Sequence, residues 1–484
     1  MIGLPTDDEV TRFLARAVDV GSDALVERPF PELAERWRAG GLRPGDLVLL
    51  SLPTGVALLQ HFFGVLAAGG VPALLAPGTP SARLHELATV MGARALGAVR
   101  LPSHEGGLAL GMRPSAAPHT PGSGLALERV EPLGCIEIAW FTPTPEPAAA
   151  EGEVVLLTSG TSGFASGCVT SLEAMLRNAA RHADAVGQRP DDTVLVSLPL
   201  HFSFALVAQA LATLGRGGDL VIAGPPFNQE AYARAITARG ITISSLSPTQ
   251  VRQLLLHGGV LPPGLRVLSV GGDSLAPEHV AELLRARPGG ELYLTYGLTQ
   301  AGPRVSTLAA HAEPASRHAS VGRPLAGTTV LLEPLDDGSG RAELLVSSDT
   351  LMRRRIGVVE GRHGGDFRRP GVLATGDVFD QDESGCLFYR GRLSEYILRG
   401  GEKICLATVR RLATRLPGVL TARTRTKPAT DGEDFDLLLL VADAPDRLGP
   451  EQYRAQLARA VRRSELPHTI QVVTDPRAEA FGYK

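Results

Sequence analysis

Apolar residues run through this chain in two alternating rhythms. From Phe30 to Ala39 they recur at helical spacing and stop at Gly40-Gly41. Asp46 to Leu52 is a short apolar run of the kind that forms a buried strand. Gly55 to Ala68 reads as an apolar helix closed by Gly69-Gly70, and Val71 to Leu75 as another strand. Strand, helix and strand at this spacing predict a βαβ unit with parallel pairing. Residues 102–150 are rich in Pro, Gly, Ser and Ala and read as a loop or weakly ordered excursion. Strands are then expected near 153–157, 193–198, 219–223, 241–246, 266–270 and 291–295, several of them separated by helices. Near 319–390 the strands shorten and are broken by Gly, Pro and Asp. From 391 a smaller unit follows: a Gly-Gly turn at 400–401, a helix over 406–415, a strand near 436–442 and a helix over 450–463. No internal repeat or heptad interrupts this α/β alternation.

Size and charge narrow the picture. A chain of 484 residues, 44% of them hydrophobic, can bury large cores and divide into two or more domains. A net charge of −3 gives no electrostatic footprint for nucleic acid, so any bound anion must be held by local loops. The longest apolar stretches, at 153–157 and 437–441, are far too short to span a bilayer. The opening residues Met1 to Glu9 lack the basic start and apolar run of a signal peptide. A soluble cytoplasmic protein is the expectation. Cys135, Cys168, Cys386 and Cys405 are far apart, with no CxxC pair and no histidine at metal spacing. That weighs against a structural zinc site or a disulfide framework and fits a reducing compartment.

The sharpest local feature is Thr158-Ser-Gly-Thr-Ser-Gly-Phe-Ala-Ser-Gly167, directly after the apolar run Val154–Leu157. Its glycines permit tight turns that aim several N–H groups at one point, and its hydroxyls add donors, which suits a polyphosphate. The same composition also suits a surface loop. It lacks the Gly-Lys-Ser/Thr ending of a Walker-type loop.

This segment resembles the phosphate loop of acyl-adenylate-forming enzymes, the superfamily of acyl-CoA synthetases, adenylation domains and luciferases. Ala165 and Ser166 stand where that loop usually has Pro and Lys. Further resemblances follow in the family's order. Leu42-Arg-Pro-Gly-Asp46 and Ala67-Ala-Gly-Gly70 fit its opening. Pro199-Leu-His-Phe-Ser203 is similar to the segment before the acyl pocket, and Gly271-Gly-Asp-Ser-Leu275 to the turn against adenine. Tyr296-Gly-Leu-Thr-Gln300 is similar to Tyr-Gly-x-Thr-Glu, and Ser320-Val-Gly-Arg-Pro324 and Thr375-Gly-Asp377 also match. Gly391-Arg392 and Gly400-Gly-Glu-Lys-Ile404 resemble the interdomain hinge and the loop after it.

The resemblance implies ATP and Mg2+ as cofactors, with CoA or a phosphopantetheine-bearing carrier protein as acceptor. Thr158, Ser159, Gly160, Thr161, Ser162 and Gly163 would surround the phosphates, and Gly271, Gly272, Asp273 and Gly297 would line the adenylate. Tyr296 presents an aromatic face suited to adenine. Asp377 is an acceptor for ribose hydroxyls, Arg392 a permanent cation for ribose or phosphate, and Thr299 a donor to the α-phosphate. The family's adenylation lysine, which offsets transition-state charge, has Lys484 as its counterpart; the alternative is a solvated terminal lysine. The carboxyl substrate would lie near His201, Phe202, Phe204, Gly272, Ala301 and Gly302. His201 either shapes or gates that pocket or is a buried structural histidine. Adenylation domains for α-amino acids place an aspartate near 202–203, where this chain has Phe202 and Ser203, so a small acyl or aryl acid is implied.

Two departures fall at the pyrophosphate end. Ser166 replaces the loop lysine, and Gln300 the glutamate that would help bind the metal beside Thr161; an amide binds a hard cation less well than a carboxylate. The implied activity is ATP-dependent formation of an acyl-AMP and transfer of the acyl group to a thiol or an amine. The alternative is a non-catalytic or half-reaction homologue that binds an adenylate made elsewhere. The implied fold is a large α/β domain over residues 1–391, with mixed, mostly parallel sheets and a distorted β-barrel part. A small mobile α+β lid would cover 392–484, with Ser394 at the hinge.

Overall fold

The computed structural model describes residues 3–475 apart from 21–24, 26, 102, 105–106, 109–124, 145–146, 148, 159–165, 257–260, 336–339, 358–365, 400–401, 430–431 and 446.

Leu47–Ser51 forms a strand buried at every position. Its side chains alternate between two cores: Val48 and Leu50 enter one, Leu47 and Leu49 the other. A strand with two buried faces belongs inside a parallel sheet, and this one pairs in parallel with Val71–Leu74 and Ala95–Ala98. The helix between the first two strands is Val56–Ala67, with eight buried residues distributed around it. A helix apolar on all sides must itself be buried.

These strands centre an eight-stranded sheet in the order Arg354–Ile356, Ser166–Ser171, Glu153–Thr158, Val71–Leu74, Leu47–Ser51, Ala95–Ala98, Ile136–Phe141, Leu127–Leu133. A second eight-stranded sheet runs Val18–Asp19, Asp219–Ile222, Thr193–Val196, Ile243–Leu246, Val267–Gly271, Glu291–Gly297, Arg304–Ala309, Arg323–Pro324. Its first six strands are parallel and its last two antiparallel. One core joins the sheets: Val48 and Leu50 of the first, Phe62 and Met175 of intervening helices, and Val194 and Leu220 of the second. Helices Gln229–Ala238, Pro248–Leu256 and Pro277–Ala286 cover the far face of the second sheet.

The part expected as a distorted barrel is an antiparallel five-stranded sheet: Thr328–Pro334, Ala342–Ser348, Val372–Gln381 and Phe367–Arg369, with Leu387–Arg392 paired to Val372–Gln381. A further five-stranded sheet is built from Glu402–Cys405, Tyr396–Arg399, Gly432–Val441, Val419–Ala429 and Ile470–Val473. It has its own core, including Ile404, Val409, Phe435, Tyr453 and Leu457. Arg415 pairs with Glu278 at 2.9 Å, and Arg252 donates to the Leu420 carbonyl, tying this part to the second sheet's helices.

Two expectations are corrected. Residues 102–150 are not all loop. Leu127–Leu133 and Ile136–Phe141 form an antiparallel hairpin on the first sheet. Ile136, Ile138 and Trp140 alternate into the central core while Ala139 and Phe141 enter another, a strand pattern masked by its Pro- and Ala-rich flanks. The helix expected over 450–463 ends at Leu457, four residues after Tyr453; these are its two buried positions, and the chain beyond continues as turns, with Val461 still packed on the same core, to a tight turn at Arg463–Glu465. No helix among the described residues is long and apolar enough to cross a membrane.

Candidate active site

The strand Glu291–Gly297 organises the site because its side chains alternate between two faces. Leu292 and Leu294 join the outer core and Tyr293 the central one. Tyr296 therefore leaves on the outer side and Thr295 on the side between the sheets.

On the outer side, Tyr296 donates its hydroxyl to Asp377 Oδ2 at 2.6 Å, and Arg392 Nε donates to Asp377 Oδ1 at 2.8 Å. Asp377 comes from the strand Val372–Gln381 and is 1% exposed. Its backbone N–H donates to Thr375 Oγ1, which itself donates to the Leu344 carbonyl. Arg392 is the residue's Cα partner on the next strand, and its backbone N–H donates to Glu395. Burial raises the Asp377 carboxyl above its usual range, against the pull of Arg392 and Tyr296. Burial also lifts the Tyr296 phenol well above its ordinary value, with the Asp377 charge adding to it. The Tyr296 ring meets Phe379 edge-on, 4.8 Å between centroids.

Beyond the strand, Thr299–Ala301 forms a single tight turn. Thr299 Oγ1 lies 3.2 Å from Ser203 Oγ, which brings the Pro199–Ser203 segment to this turn. Gln300 is half-buried; its carbonyl accepts from the Met352 N–H, and its side-chain amide bonds no other described group. Ala301 is buried beneath it. The Gly271-Gly272 turn shows why glycine stands there. A Cβ on Gly271 would lie 2.4 Å from Thr295 Oγ1, and Gly272 has a left-handed φ of +92°. Asp273 is exposed, and its carboxylate accepts from the Ser274 N–H.

On the inner side, the His201 and Phe202 rings meet at a tilt of 56°, with centroids 4.4 Å apart. Neither ring nitrogen of His201 has a partner among the described residues, and burial lowers its pKa to about 4, so the imidazole is neutral at pH 7. Phe204 lies under the guanidinium of Arg304. The helix that follows, Ser203–Arg216, carries a π-helical segment at Leu206–Leu211, a widening often found beside functional sites.

Residues 30–354 match the AMP-binding enzyme family. The chain belongs to that family. It is 30% identical over 479 residues to a salicylyl-CoA synthase / salicylate adenylyltransferase of Streptomyces, with 92% of this chain and 84% of that protein covered. It is 26% identical over 488 residues to a sulfoacetate–CoA ligase of Cupriavidus necator, covering 97% and 90%. Its fold is that of o-succinylbenzoate CoA synthetase from Bacillus subtilis, solved with an acyl-adenylate intermediate: TM-score 0.71 at 19% identity, covering 92% of this chain and 88% of that one.

Within this AMP-binding fold, the structure brings together Tyr296, Asp377 and Arg392, and separately Thr299 with Ser203. Gly297 and Arg304 are Cα partners across the turn that holds Ala301 and Gly302. Ser159, Gly160, Thr161, Ser162, Gly163 and Lys484 lie outside the described residues, and Thr158 ends the strand before them.

Sequence reasoning missed two arginines. Ser166 does not open onto empty space: it is buried, and Arg355 Nη1 donates to its Oγ at 2.7 Å. Arg355 also pairs with Asp366, Nη2 to Oδ1 at 2.8 Å. A cation thus stands on the strand beside the position that lacks the loop lysine. The run Arg353-Arg354-Arg355 was the available signal. Arg304 is the second, and nothing in its local sequence marks it.

Proposed function

We propose that this AMP-binding enzyme activates a small acyl or aryl carboxylic acid with ATP and passes the acyl group to the thiol of CoA or of a carrier protein, or to an amine. The Tyr296–Asp377–Arg392 cluster, one tight turn from Thr299, carries the reading. Asp377 keeps lone pairs free for ribose hydroxyls even with both oxygens engaged. Tyr296 offers a ring to adenine, and Arg392 supplies a fixed positive charge next to the sugar and phosphate.

The substrate carboxylate oxygen attacks the α-phosphorus, the Pα–O–Pβ bond breaks, and pyrophosphate leaves with the electron pair. The thiolate then attacks the acyl carbon and AMP departs. Thr299 donates to the α-phosphate as charge builds there, and Lys484 is the cation we assign to that step. Mg2+ would neutralise the departing phosphates. The free carbonyl oxygen of the Gln300 amide is a fitting neutral ligand, with ATP itself supplying the anionic oxygens. We assign residues 1–391 to the core and 392–484 to a lid that reorients between the two half-reactions.

Pyrophosphate release across a panel of acids, for wild type and Lys484→Ala, tests this. Acid-dependent release lost in the variant is expected. No release from wild type, together with tight calorimetric binding of a non-hydrolysable acyl-AMP analogue, would favour the half-reaction homologue instead.

A further inference from the structure

Four arginines are buried among the described residues: Arg94, Arg252, Arg287 and Arg304. Arg94 meets Glu128 and the Phe141 carbonyl. Arg252 donates to the Leu420 carbonyl, and Arg287 to those of Leu265 and Arg266. Arg304, at 3% exposure, meets neither a carboxylate nor a carbonyl of the described residues. Its Nη1 donates to Thr295 Oγ1 at 2.8 Å, and its guanidinium carbon sits 3.5 Å from the centroid of the Phe204 ring. Among the described residues Nε has no partner and Nη2 no acceptor. His182, which feels the Arg304 charge, is buried and neutral, its pKa lowered to about 3 by burial and then by Arg304 itself.

A buried cation without a counter-charge is costly, and an aromatic face offsets that cost only in part. The backbone here is nonetheless held firmly: Asn178 donates to the Arg304 carbonyl at 2.9 Å and accepts from its N–H at 2.8 Å. The guanidinium is placed, not accidental. It also lies against Phe204, which the family resemblance assigns to the acyl pocket. A Cβ on Gly271 would lie 3.1 Å from Nη1, Phe204 stacks beneath it, and Gly297 is its Cα partner. All of this is on the face of the strand opposite Tyr296, away from the adenylate cluster.

We propose that Arg304 receives a second anionic group of the acid being activated. The substrate class is a carboxylic acid bearing a distal carboxylate or sulfonate, with its reacting carboxyl toward Thr299 and its distal anion on Arg304. The proposal rests on the ligase reading above and sharpens it. An acid lacking the second anion leaves the buried cation unpaired, and sites that pair a specific polar group discriminate strongly against analogues lacking it.

Matched pairs of acids test it: succinate against butyrate, phthalate against benzoate, sulfoacetate against propionate. Pyrophosphate release by wild type is expected to favour the doubly anionic member of at least one pair by about 30-fold in kcat/KM. Arg304→Met removes that preference, while Arg304→Lys keeps part of it. Equal rates or a monoacid preference in every pair from wild type, which needs no variant, would overturn the proposal. So would an equal loss for both members in Arg304→Met, the behaviour of a residue that merely props the fold or holds the reacting carboxylate. Calorimetry of the same acids with AMP-loaded protein separates this from the ligase reading. If no acid releases pyrophosphate, selective binding of the diacid that Arg304→Met abolishes still supports the assignment, and absence of selectivity overturns it.

Discussion

Two charged clusters flank the strand Glu291–Gly297, and they are built on opposite terms. On the Tyr296 side, a carboxylate buried to 1% exposure has an arginine on one oxygen and a phenol on the other. On the Thr295 side, a buried arginine has a hydroxyl, an aromatic face and no acid. The first cluster closes its own charge and can stand preformed with the nucleotide absent. The second is one negative charge short among the described residues, which leaves room for the anion proposed to arrive with the substrate. The self-balanced side therefore suits the constant part of an adenylate, and the unbalanced side the part that differs between relatives.

The largest effect is expected where the balance is broken. Asp377→Asn leaves Arg392 without its counter-ion and removes one of the two carboxylate oxygens proposed to accept from the ribose. Pyrophosphate release should fall about 100-fold or more, in the range seen when a charge-assisted contact made in the transition state is lost. Stability should fall by about 2 kcal/mol, below the figure for a fully buried pair because Arg392 is 43% exposed. Equal activity with equal melting temperature would break the comparison at its first term.

Next comes pH. On the Arg304 side, His182 is fully buried, and its pKa is lowered to about 3 by burial first and Arg304 second. Its folded pKa lies below the unfolded value of about 6.5, so the unfolded chain binds the extra proton first as pH falls. Stability is thus retained above about 6.5 and lost progressively below it, by about 2 kcal/mol at pH 5. His182→Gln should flatten that slope in denaturant titrations between pH 7.5 and 5. An unchanged slope would mean the imidazole is not neutral where the structure buries it.

The third effect has the opposite sign to the first. Replacing an unpaired buried cation with an apolar side chain of similar length is neutral or stabilising. Arg304→Met should leave the ligand-free protein as stable as wild type, or more stable by about 1 kcal/mol, when melted beside Asp377→Asn. A large loss would show that the cation is already satisfied.

The balanced cluster was far more legible in the sequence than the unbalanced one. Tyr296, Asp377 and Arg392 each sit in a short motif, and those motifs are held by turn chemistry such as Thr375 beneath Asp377, which leaves a local signature. Arg304 has none. It matters only because the chain doubles back after Gly302, the helix starting at Ser203 brings Phe204 against it, and no acid of the described residues reaches it. These are long-range facts that one sequence does not print. The same division holds for the fold. The strand Leu47–Ser51 and the helix Phe30–Ala39 were read from local period, whereas the hairpin Leu127–Phe141 was lost because its flanks read as loop. Ser166 is intermediate: its loss of charge was visible, and its arginine neighbour on a strand 189 positions away was not.

The smallest effect concerns the metal end of the balanced side. Gln300 offers a neutral carbonyl where the family's motif has a carboxylate, and its amide bonds no other described group. Gln300→Glu adds one hard anionic ligand and should lower the Mg2+ concentration for half-maximal pyrophosphate release several-fold, with the acid's KM unchanged. Ser166→Lys should add little, because Arg355 already places a cation against that position and the new ammonium would meet it as a like charge. A large gain from Ser166→Lys would instead mean that Arg355 is fully spent on Asp366, and that the pyrophosphate end, like the Arg304 face, is short of a charge, in its case a positive one.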